Sequence, residues 1–139
     1  MPLMPKRVKH RKVQKGARPG NATRNNKLDF GDYGLQVLDR GLISANQIEA
    51  ARVAVTRHLN RRGQIWLRIF PAKPITAKQL ETRMGKGKGA VDEWAVNVKP
   101  GNMILEISGC PEALAKGAFS RAASKLPIRC KMLSRHVSV

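Results

Sequence analysis

The stretch RMGKGKGA, Arg83 to Ala90, places three glycines and three basic side chains in eight positions. Glycine lets backbone amides approach a ligand closely, and Lys or Arg heads in the same loop can reach phosphate oxygens. Two phosphate chemistries fit: an enzyme's nucleotide cradle, or the backbone of a nucleic acid. A Walker-type loop needs Ser or Thr after its Gly-Lys to hold Mg²⁺, whereas Lys86 and Lys88 are each followed by glycine. Residues 85–90 also satisfy G-x-G-x-x-A, but that fingerprint follows a strand and opens a helix. Here a strand-like segment comes after it. The loop therefore reads as a contact surface for phosphate, against the plainer alternative of a flexible turn.

No catalytic constellation accompanies it. His10, His58 and His136 fall in a basic arm, on a helix and near the last strand, none at metal-ligand spacing. Asp92 and Glu93 are adjacent in a strand-like segment, so they would point to opposite faces and cannot act as an acid/base pair. Cys110 and Cys130 form no CxxC motif, which argues against zinc and lends a disulfide no support. Cys110 precedes Pro111 at an expected helix start, where a thiolate would be favoured, and reads as a small residue at the capping position. No hydrolase, zinc-protease or kinase set is present. The expectation is a non-enzyme with no metal and no cofactor.

Charge points the same way. The chain of 139 residues carries 27 Lys and Arg against 9 Asp and Glu, a formal net charge of +18. Such a domain repels itself unless a polyanion neutralises it. Nucleic acid is the commonest such partner, with an anionic membrane surface as the rival. No run of apolar residues is long enough to span a bilayer, and no apolar segment follows the basic N-terminus as in a secretory signal. Two prolines among the first five residues also suit a mitochondrial presequence poorly.

The elements that would position these residues begin after the arm. Residues 1–28 hold nine basic side chains and no acid, with too few apolar residues for a core, and read as an arm ordered against a partner. Residues 29–139 read as one domain. YGLQVLD suggests a strand that Gly41 turns. Ser44 and Gln47 form a capping-box pair opening a helix, on which Ile48, Ala51, Val55 and Leu59 recur on one face, with Gly63 as the stop. Residues 64–71 read as a strand, and residues 72–89 as a long basic loop with one helical turn near Thr76. AVDEWAVNV and NMILEIS flank Pro100-Gly101 and suggest a hairpin. A second helix is expected from Pro111 to about Leu126, buried along Leu114, Ala118, Ala122 and Leu126, and then a terminal strand. The expected fold is α+β: a mostly antiparallel sheet packed with two helices, a basic extended N-terminal arm and a long glycine-rich loop. Trp66 and Trp94 look like core or half-buried strand residues, so the expected mode is charge and shape recognition of a folded RNA.

Two stretches, RRGQIWLRIFP (Arg61 to Pro71) and RMGKGKGAVDEW (Arg83 to Trp94), resemble the two signatures of bacterial large-subunit ribosomal protein sixteen. PKRVKHRKVQKG near the start, QIEAAR and KPIT are similar to the family in the same order. The departures are Asn60, where relatives usually carry a basic residue, and the segment between Gly16 and Lys27. The resemblance implies a structural constituent of the large ribosomal subunit, bound to large-subunit rRNA near the aminoacyl-tRNA site. It also implies contact with tRNA in the A site, extending to the P site, through the arm and the glycine loop. Neighbouring large-subunit proteins would be partners, the chain would be a monomer within the ribosome, and no membrane would be involved. The location would be the cytoplasm, or an organelle with ribosomes of this type. The residues expected to contact rRNA or tRNA are Lys6, Arg7, Lys9, Arg11, Lys12 and Lys15 in the arm, Arg61, Arg62 and Arg68 in the first signature, and Arg83, Lys86 and Lys88 in the second. Arg83 matches an arginine that is hydroxylated in some relatives, which makes it a candidate modification site. The competing readings are a free-standing RNA-binding module or chaperone, and a small enzyme acting on nucleotides.

Overall fold

The computed structural model describes residues 3–135. His136 lies outside the described residues. Strand β1 (Tyr33–Val37) is followed by β2 (Gly41–Ser44), helix α1 (Ala45–His58), β3 (Gln64–Leu67), β4 (Lys73–Ala77), β5 (Ala90–Val98), β6 (Met103–Ser108), helix α2 (Glu112–Ala123) and β7 (Cys130–Ser134). Two antiparallel sheets result, one ordered β3-β6-β1-β7 and the other β2-β5-β4. The fold is α+β, with more strands than expected.

Helix α1 forms where its local chemistry favours it. Ser44 Oγ accepts the Gln47 N–H at 3.3 Å, and Gln47 Oε1 accepts the Ser44 N–H at 3.0 Å, closing the capping box. Ile48, Ala51, Val55 and Leu59 are all buried, as their helical spacing requires. The helix does not run to Gly63. It caps at Leu59, and Asn60 and Arg61 already adopt left-handed backbone (φ 51° and 62°). Asn tolerates that conformation better than a longer side chain does, which gives the departure at Asn60 a local backbone reason. Helix α2 buries Ala115, Ala118, Phe119 and Ala122, with Leu126 beyond its end, while Leu114 is only partly covered. Its N-cap is Pro111 and not Cys110, and no side chain caps it.

Three strand assignments differ from the sequence reading. Gly41 does not turn the chain; it opens β2, opposite Val98 of β5. Strand β3 stops at Leu67, before Pro71. Lys73–Ala77, expected in a loop with a helical turn, is a strand whose Pro74 sits at the sheet's edge, where a missing N–H is tolerated. Between β5 and β6 the turn forms as expected: Asn102 N–H donates to Lys99 O at 3.1 Å, and Gly101 supplies φ of 102°. The hairpin does not. Gly101 N–H donates to Val37 O, and Val37 N–H donates to Asn102 O, both at 2.8 Å. Those bonds stitch the turn to the end of β1, so the chain leaves one sheet for the other and β1 takes the place beside β6.

Strand β6 is buried along Met103–Ile107, so both its faces are covered. Among these residues Glu106 is the one carboxylate, and it is fully buried. Its Oε2 accepts the Phe30 and Gly31 N–H groups at 2.8 Å each, and its Oε1 accepts the Asp29 N–H at 3.3 Å and an ion pair from Arg68 Nη1. Arg68 Nη2 also pairs with Asp29 Oδ2 at 2.7 Å. Its guanidinium lies 5.1 Å from the centre of the Phe30 ring, which stacks on Trp66 at 6.1 Å. Burial raises the pKa of Glu106, but the Gly31, Phe30, Arg68 and Asp29 donors together outweigh it and hold the carboxyl below its ordinary value.

A depressed folded pKa contributes stability that is present above the unfolded glutamate pKa and is lost as pH falls through the folded one. Glu106→Gln is expected to destabilise the fold by about 3 kcal/mol at neutral pH, because it removes the buried charge on which Arg68 and three backbone N–H groups converge and leaves Arg68 with Asp29 alone as its ion-pair partner. Urea titrations from pH 7 down to pH 3 should show wild-type stability falling with acid, and the gap to the variant narrowing. A gap that stays constant with pH would contradict an ionised Glu106. Both thiols are pushed up by burial, Cys130 to about 11. Iodoacetamide at pH 8 should therefore label Cys130 in the native chain about a hundredfold more slowly than an ordinary thiol, as read by mass spectrometry.

Candidate nucleic-acid interface

The arm, residues 3–28, contains no helix or strand, yet it is tied to the domain at several points. At its end Ala22 N–H donates to Pro100 O at 2.9 Å. Asn25 Nδ2 donates to Met103 O at 3.0 Å, and Met103 N–H returns a bond to Asn25 O at 2.9 Å. The lock at Glu106 then fixes residues 29–31, where the arm enters the sheet. Near its start, Leu3 packs against the core.

Midway, the arm meets the glycine loop. Lys88 Nζ donates to Val13 O at 2.6 Å, Lys12 Nζ donates to Lys88 O at 3.1 Å, and Lys73 Nζ donates to Lys15 O. Segments about seventy residues apart in the chain thus lie side by side, joined by lysine heads on backbone carbonyls. Within the loop Lys78 Nζ reaches Gly85 O at 2.7 Å, and Glu81, Gly85, Lys86 and Gly87 all take positive φ. The loop is therefore a defined, tightly turned structure whose backbone is open at Gly85 and Gly87.

The expected contact residues fall into three groups. Lys6, Arg7, Lys9, Arg11, Lys12 and Lys15 on the arm, with Arg83, Lys86 and Lys88 on the loop, are exposed, and Lys12, Lys15 and Lys88 stand where arm and loop meet. Arg61 and Arg62 are exposed beyond the C-terminal end of α1, next to Arg57, where positive charge complements the helix dipole. Arg68 differs: its side chain is 12% exposed and its guanidinium is taken up by Glu106 and Asp29. It holds the base of the arm and does not project outward. The ion pairs among the described residues use Arg52, Arg68 and Arg129, so the charges of the arm and loop are not neutralised internally.

Sequence reasoning missed Lys73, because its place beside the arm depends on β4 being a strand. It also passed over Leu80 and Met84, which are 95% and 94% exposed at the loop's tip. The available signal was apolar residues in a segment with no periodicity to bury them. Among the described residues no His, Cys, Asp and Glu cluster could hold a metal ion, and no helix is long and apolar enough to cross a membrane.

The chain's relatives carry names that fit this surface. Residues 5–133 match the family model described as ribosomal protein L16p/L10e. The chain is 56% identical over 135 residues to the large ribosomal subunit protein uL16 of Alkalilimnicola ehrlichii, covering 97% of this chain and 98% of that one. It is 53% identical over 132 residues to the protein of the same name from Sulfurovum sp., covering 95% and 94%. A third, from Agathobacter rectalis, is 56% identical over 133 residues, covering 96% and 92%. With the family model matched across nearly the whole chain, and relatives matched over nearly their whole length, the chain belongs to the ribosomal protein L16p/L10e family.

Proposed function

We propose that this chain is a structural constituent of the large ribosomal subunit that binds large-subunit rRNA near the aminoacyl-tRNA site. It has no catalytic step of its own. Through the arm and the glycine loop it touches tRNA in the A site, and from the same face it reaches toward the P site. The observation that carries this reading is the arm-loop junction: two unneutralised cationic segments held side by side, one of them open around Gly85 and Gly87. Phosphate contacts of this kind fix position and register without reading sequence. That is what a protein needs when it holds one place in a folded RNA. Arg61 and Arg62, exposed beyond the end of α1, supply a second basic point.

The test is sedimentation. The chain should stay with large subunits after a high-salt wash, and a photo-crosslinker at position 83 should capture RNA within purified particles. Recovery only in the soluble fraction would remove the proposal in favour of a free-standing RNA-binding module. Two further outcomes are expected. With about eight cations on phosphates, affinity of the free chain for large-subunit RNA should fall about 10³- to 10⁵-fold between about 50 and 200 mM salt. Lys86→Gln with Lys88→Gln should leave the thermal midpoint within about 2 °C of wild type while slowing tRNA accommodation, since both side chains are exposed. Normal accommodation rates in that variant would remove the loop from the tRNA contact.

A further inference from the structure

Lys15 and Arg18 of the arm, Lys73 of β4 and Lys88 of the glycine loop surround one open groove of about 350 Å³. Its floor includes the apolar Leu42 and Ile75, and no carboxylate lines it. Three separate segments of chain thus bring four like charges to one place. Two of the ammonium groups already act as clasps, Lys73 on Lys15 O and Lys88 on Val13 O, but each such bond uses one of three donors. Donors are thus left over beside a groove whose volume suits a sugar and its phosphate. Bonds from exposed lysines to neutral carbonyls are weak, while the mutual repulsion of the four heads opposes the arm lying where it does. An anion in the groove reverses that balance.

We propose that this groove binds one nucleotide unit of RNA backbone. The phosphate sits among Lys15, Arg18, Lys73 and Lys88, and the ribose lies over Leu42 and Ile75. The bound phosphate then clasps arm to loop, so that the two contact surfaces are set by a single RNA site. The inference rests on the arm and loop facing RNA, and it adds Arg18 and Lys73 as binding residues with a coupling role.

The free full-length chain tests the clasp, with inorganic phosphate as the probe. Trypsin cleavage after Lys12 is followed in potassium phosphate and in potassium chloride of equal ionic strength, relative to a free peptide of the arm sequence. Phosphate should slow cleavage roughly fivefold in the wild type, and neither Lys73→Gln nor Arg18→Gln should retain the effect. Equal rates in the two salts, or the same slowing in both variants, would overturn the proposal. Acetylation of Lys73 in purified large subunits, compared with the free chain, then identifies the source. Protection in vacant subunits assigns the phosphate to rRNA, and protection only after A-site tRNA binds assigns it to tRNA. A chain that sediments with the subunit but whose Lys73 reacts as in the free state overturns the groove and leaves the proposed function standing.

Discussion

A carboxylate with no exposed surface stays ionised only when donors replace the water it has lost, and Glu106 has four of them. Three are successive backbone N–H groups, from Asp29 to Gly31, and the fourth is Arg68. Because Glu106 stands opposite Gly34 of β1 and Trp66 of β3, the same residue sits on two strand pairings at once. Its side chain therefore decides where the arm begins relative to the four-stranded sheet. The arm leaves the sheet from that fixed point, on its way to the loop that β4 and β5 hold out from the other sheet.

Charge is sorted by place. Arg52, Arg68 and Arg129 are matched to Glu49, Asp29 with Glu106, and Asp39, and these pairs sit on the helix, the arm's base and the link between β1 and β7. The exposed ones contribute little to stability, so their main effect is to keep acidic groups occupied away from the arm and loop. The result is a molecule whose excess positive charge is concentrated where structure is thinnest. Self-repulsion there costs little folding energy, since those segments bury little, and a polyanion gains the full attraction.

Both helices were legible because their signals are local: a capping box four residues long, and an apolar stripe repeating every three to four positions. Strands β2 and β4 were not, since each is short and carries a residue, Gly41 or Pro74, that reads as punctuation. The pairing of β6 with β1 in place of β5 depends on a contact between Val37 and the turn sixty-odd residues later, which no window of sequence contains. The basic face was legible as composition, but its assembly was not. Lysine heads bond arm to loop through backbone carbonyls, which every residue possesses and no motif marks. Arg68 looked like any other cation of its signature, because the carboxylate that claims it is thirty-eight positions away.

The crossing from one sheet to the other sets an order of events during synthesis. Tyr33 pairs with Ile107 on one side and with Ser134 on the other, so β1 leaves the translating ribosome long before either neighbour exists. Such non-local pairing closes slowly, and until then the strand presents two open edges. Directly ahead of it in the chain is the cationic arm, complete from the outset. The nascent protein thus presents its densest positive charge before the partners that close its core have been made.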